Sequence, residues 1–127
     1  MARKKVSTET AVGEYIEFWQ EELRIRDWRI SFEIITDPEF DAYAKVRSVP
    51  TIGASHIKLL EPSLVPEDWE GCKDLEVTVV HELLHIRFYH CIPEPEKGLD
   101  VHEELAIETV AIALVANRRG LRVGDLF

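Results

Sequence analysis

Residues 74–90 read Asp-Leu-Glu-Val-Thr-Val-Val-His-Glu-Leu-Leu-His-Ile-Arg-Phe-Tyr-His, and no other stretch restricts the fold as much. Leu75, Val77, Val79, Val80, Leu83, Leu84, Ile86 and Phe88 predict a helix that is apolar around most of its circumference. Such a helix has to be buried. Asp74 or the loop before it starts the helix, and Pro93 and Pro95 end it. Thr78, His81, Glu82, His85 and Tyr89 fall on a single stripe. The fold must therefore enclose this helix and still give that stripe partners, because unpaired buried polar groups are costly.

The remaining chain predicts the wrapping. At 127 residues it is one domain, residues 1–127, with a flexible tail over 1–7. Val12, Tyr15, Ile16, Trp19 and Leu23 recur at helical spacing, so a first helix runs from Ser7 or Thr8 to about Leu23. Trp28, Ile30, Phe32 and Ile34 alternate with polar residues, which is a strand with one buried face, ended by Asp37-Pro38. Two more strands are expected over Ala42–Val49 and Ile52–Leu60, then a loop over 61–71. After the long helix, residues 91–99 form a loop closed by Gly98. Asp100 and Glu103 make a capping box for a last helix that Gly120 stops, with cations in its final turn. The expected class is α+β, with a small, twisted, mostly antiparallel sheet of about three strands.

Charge and cysteines narrow the setting. Fifteen basic against twenty-four acidic residues leave a net charge of −9. That argues against nucleic acid or an anionic membrane as partner. The only basic run is Arg3-Lys4-Lys5, in the tail. No apolar run approaches a membrane span and none follows the basic start as a signal peptide would. Cys72 and Cys91 flank the long helix. At ~1.5 Å per residue they lie too far apart for a disulfide, which needs ~4.4–6.8 Å. Two free thiols suit a reducing compartment, and the expectation is a cytoplasmic monomer.

His81-Glu82-Leu83-Leu84-His85 is the pattern H-E-x-x-H on a helix. Residues four apart share a face, so both imidazoles can reach one tetrahedral cation. Glu82 lies between them, able to touch a water on the cation without being a ligand. A catalytic zinc needs a third protein ligand, and His90, His102, Glu103, Glu104 and Glu108 are the candidates. The longer H-E-x-x-H-x-x-G-x-x-H pattern is rejected, because Phe88 and Cys91 stand at its glycine and third histidine. His90 belongs to the exposed helix end. Glu104 heads a stripe continued by Glu108, Ala111 and Val115, so Glu104 is the preferred ligand, with His102 and Glu103 as alternatives. Glu108, one turn on, is placed to accept the N–H of a ligating histidine. Tyr43, Tyr89 and His56 could stabilise an oxyanion on chemistry alone, although packing or surface roles account for each.

His81-Glu82-x-x-His85 with Glu104-Leu-Ala-Ile-Glu108-x-x-Ala111 resembles the zincin metallopeptidases of minimal gluzincin type. It is similar to the ImmA/IrrE-type and SprT-like peptidase domains of bacteria and phages. The resemblance spans roughly residues 8–118. It implies Zn2+ held by His81, His85 and Glu104, with Glu82 as general base. It also implies a peptide or protein substrate bound as an extended strand beside an edge strand near Ile52–Leu60. The function expected is a zinc-dependent peptidase. The alternative is a zincin-fold protein of a phage or mobile element that binds metal or a partner without cleaving anything.

Overall fold

A computed structural model describes residues 7–91 and 100–127. The basic run Arg3-Lys4-Lys5, the helix-ending Pro93 and Pro95, and the loop closed by Gly98 lie outside the described residues. The order is α1 (Thr8–Glu22), β1 (Arg29–Ile35), β2 (Ala44–Val49), β3 (Ala54–Leu60), α2 (Leu75–Arg87) and α3 (Val101–Arg119), an α+β arrangement. Short 3-10 turns sit at Pro50–Ile52, Pro62–Leu64, Tyr89–Cys91 and Val123–Leu126.

Each helix start follows from local chemistry. Ser7 is not tail but the N-cap of α1, accepting from Thr10 N–H. Asp74 caps α2 by accepting from Val77 N–H. Asp100 and Glu103 form the expected capping box of α3, and Gly120 ends that helix at φ 66°, where a Cβ would be strained. α2 stops earlier than its apolar pattern suggests. Phe88 is its C-cap, and Tyr89, His90 and Cys91 turn off in a 3-10 turn.

The sheet has the order β1-β3-β2. β2 and β3 are antiparallel, joined through the turn at Pro50–Ile52 and Gly53, whose φ of 59° suits glycine. β1 runs parallel to β3. The sheet is thus mixed rather than mostly antiparallel. β3, expected at an edge, is the central strand, and the edges are β1 and β2. β3 is hydrogen-bonded along both edges, and its Ile57, Leu59 and Leu60 are buried.

The inner sheet face, α1 and α3 enclose α2. Val12, Ile16 and Trp19 of α1 meet Val77, Val79, Val80, Leu83, Leu84 and Ile86 of α2, with Ile107, Ala111, Ile112 and Val115 on the side of α3. The Phe32 ring packs against α1 at Gly13, where a Cβ would stand in ordinary contact at 3.8 Å. Cys72 and Cys91 are free thiols.

One buried polar group had no counterpart in the sequence reading. Glu76, 1% exposed, accepts from Trp19 Nε1 at 2.7 Å and from Arg119 Nε and Nη2 at 3.1 and 2.9 Å. Arg119 also holds both oxygens of Asp74, at 2.6 and 2.9 Å. The start of α2 is thereby clamped to the end of α3, so the two helices run antiparallel. No helix among the described residues is long and apolar enough to cross a membrane.

Candidate metal centre

The polar stripe of α2 does not face the core. Thr78, His81, Glu82, His85 and Tyr89 form the floor of an open cleft of about 1250 Å³. β2 and the segment before it supply one wall, Asp68, Trp69 and Glu70 a second, and Glu104 and Glu108 of α3 the third. Helical spacing puts His81 and His85 one turn apart, with ring centroids 5.0 Å from each other.

The antiparallel pairing of α2 and α3 sets the start of α3 against the second half of α2. His81 Nε2 lies 3.0 Å from Glu104 Oε2, and His85 Nε2 lies 3.2 Å from Glu104 Oε1. One atom from each of the three residues falls within 4.8 Å of the others. Tetrahedral zinc with bonds of about 2.0–2.2 Å separates its ligands by roughly 3.4 Å. Two imidazoles and a carboxylate at these spacings therefore fit such an ion, and a set of two histidines and one carboxylate also suits Fe(II) or Mn(II). His81 Nδ1 sits 3.3 Å from Glu108 Oε2. A contact of this kind would orient the imidazole if His81 held a metal.

The electrostatics show how strongly these groups interact. Burial by itself depresses the His81 imidazolium. Hydrogen bonds to Glu104 and Glu108 and the nearby Glu82 charge override that and lift it to about 10. The hydrogen bonds from His81 and then His85 hold Glu104 down at about 2. Glu82, 6% exposed, moves the other way: burial raises its carboxyl, against the pull of His81 and His85. A carboxylate made more basic beside a histidine pair is suited to taking a proton.

The other candidates fall away on position. Glu103 is occupied in the capping box, its Oε1 accepting from Asp100 N–H at 3.2 Å. His102 is exposed and does not line the cleft. His90 packs by Trp28, with centroids 6.4 Å apart, outside the cluster. His56 lies on the opposite sheet face, bonded to Ser31 and Glu33. Tyr43 and Tyr89 do line the cleft, but the Tyr43 hydroxyl donates to the Glu70 carbonyl at 2.7 Å. Burial raises the Tyr43 phenol further. Cys72 also borders the cleft, with burial raising its thiol and Sγ donating to the Leu126 carbonyl. The sequence reading did not place β2 beside the cleft, and strand alternation alone carries no signal of which strand would lie there.

Comparison with protein-family models, curated proteins and solved structures finds no match to the chain.

Proposed function

We propose that the protein is a zinc-dependent peptidase. The observation that carries this reading is the convergence of His81 Nε2, His85 Nε2 and the Glu104 carboxylate at the floor of an open cleft, with the basic carboxyl of Glu82 beside them. His81, His85 and Glu104 would hold the metal, and Glu108 would fix the ring of His81. A zinc ion held there would supply Lewis acidity toward the scissile carbonyl and the attacking water. Glu82 takes the proton of the attacking water and returns it to the leaving amine. β2 is an edge strand and residues 44–48 line the open cleft, so an extended peptide can lie against that strand with its backbone hydrogen-bonded to it.

The experiment pairs metal analysis with hydrolysis of a labelled unfolded protein. One zinc per chain and cleavage are expected in wild type. Glu82→Gln should keep the zinc and lose about 10²–10⁴-fold in rate, the usual worth of a general base. Zinc uptake without cleavage would leave the non-catalytic alternative standing. Failure to take up zinc would end the zinc-peptidase reading.

A further inference from the structure

β2 has one edge paired and one edge open over the cleft. Leu60 N–H donates to the Tyr43 carbonyl, and the same register carries Lys45 opposite Lys58 and Arg47 opposite His56. In an antiparallel pair, a hydrogen-bonded residue turns both backbone groups to its partner and the next residue turns both away. Tyr43, Lys45, Arg47 and Val49 therefore bond β3. Ala44, Val46 and Ser48 present their N–H and C=O groups to the open edge, and all three border the cleft.

The side chains alternate as well. Ala44, Val46 and Ser48 point inward, while Lys45 and Arg47 point to the outer sheet face. That face also holds Arg29, His56 and Lys58. Glu33 answers His56 at 3.1 Å and Lys58 at 4.0 Å. Among the described residues Lys45 pairs with the largely exposed Asp41 and lies over the Phe40 ring, and a competing carboxylate can replace the exposed ion pair. Arg47 has no carboxylate within ion-pair distance among the described residues. In a chain of net charge −9, positive charge that is unmatched at Arg47 and exchangeably paired at Lys45 thus lies along one open strand edge. The cleft side of the same edge is acidic, through Asp68, Glu70 and Glu108.

We infer that the peptide taken along β2 is acidic at every second residue, with Asp or Glu opposite Lys45 and Arg47 and uncharged or basic residues facing the cleft. This rests on the peptidase reading for placing a peptide on that edge. The charge pattern follows from cross-strand geometry. In an antiparallel addition, residues opposite Lys45 and Arg47 form the non-hydrogen-bonded pairs, whose side chains come closest.

Fluorescence anisotropy on the zinc-loaded Glu82→Gln chain tests the inference without requiring cleavage. The probes are three labelled eight-residue peptides: alternating Glu and Thr, alternating Lys and Thr, and four Glu followed by four Thr. The alternating Glu peptide should bind about tenfold tighter than the Lys peptide, from two favourable pairs gained and two like-charge pairs avoided. It should also bind more tightly than the block peptide. Lys45→Glu with Arg47→Glu should reverse the order of the two alternating peptides. The milder Lys45→Gln with Arg47→Gln should bring them level, and circular dichroism checks that both variants fold. Equal affinities, an order unchanged in the variants, or no binding of any peptide would overturn the inference. Wild-type zinc-loaded protein is then incubated with the alternating Glu peptide and examined by mass spectrometry. Ordered binding with the peptide left intact would refute the peptidase reading and leave the edge preference standing. Cleavage of an unfolded protein without the charge preference would do the reverse.

Discussion

Replacing Glu76 by Ala removes the acceptor that joins α1, α2 and α3. Trp19 Nε1 loses its 2.7 Å partner inside the core, and Arg119 loses two of its four bonds. Breaking a buried charged pair costs about 3–5 kcal/mol. The low end applies, because Arg119 is 28% exposed and remains paired with both oxygens of Asp74. A loss of about 3 kcal/mol is expected, part of it the unmet indole N–H at about 1–3 kcal/mol. In urea, where m is about 1–3 kcal/mol per molar for small proteins, the midpoint should fall by at least about 1 M with m unchanged. Trp19→Phe removes the indole donor. In a double-mutant cycle with Glu76→Ala it should therefore show a coupling of about 1 kcal/mol or more. The effect should reach the candidate metal centre. Arg119 and Glu104 are separated along α3 by roughly 22 Å at ~1.5 Å per residue, so a tilt of about 5° displaces Glu104 by about 2 Å. A shift of that size spoils ligand geometry, and zinc affinity should fall about tenfold or more even where the variant is fully folded. A stability loss below about 1 kcal/mol, or unchanged zinc affinity in a destabilised variant, would show that the clamp does not set the pairing of the two helices.

The remaining predictions concern the centre itself. Glu104→Ala should lower zinc affinity sharply in a competition titration, whereas His102→Ala should leave it unchanged. Loss in His102→Ala alone would move the third ligand. Glu103→Ala should cost only capping energy, ~0.5–2 kcal/mol by urea denaturation, with zinc uptake retained. Without metal, His81 is raised from 6.5 to about 10, so its contribution is complete below 6.5 and is lost as pH rises through about 10. Glu104 is lowered from 4.5 to about 2, so its contribution is present above 4.5 and is lost as pH falls through about 2. A ligating imidazole must be neutral at the ligating nitrogen, so zinc binding at about pH 7.5 should release about one proton per ion. Calorimetry in buffers of different ionisation enthalpy measures that release, and a buffer-independent enthalpy would contradict it.

What could be read in the chain alone was whatever depends on neighbours within one or two turns. The alignment of His81 with His85, the position of Glu82 between them, and the caps Asp74 and Asp100 follow from helical period and side-chain reach. Burial of α2 follows from its apolar circumference. The capping box of Asp100 and Glu103 is equally local, and its Asp100 N–H to Glu103 Oε1 bond is present at 3.2 Å. Strand order belongs to the other kind. Alternation along β3 says that one face is buried but not that both edges are paired, so Ile52–Leu60 could be taken for an edge strand when β3 lies between β1 and β2. The charge pattern behaves in the same way. Arg29, Lys45, Arg47, His56 and Lys58 are scattered along the chain and read there as separate solvated residues. Only the register of three strands sets them on one face. Glu76 likewise reads as a first-turn acid and Arg119 as a cation suited to a helix end. Tertiary packing alone brings the two to 2.9 Å, because the contact spans 43 residues and no local period encodes it.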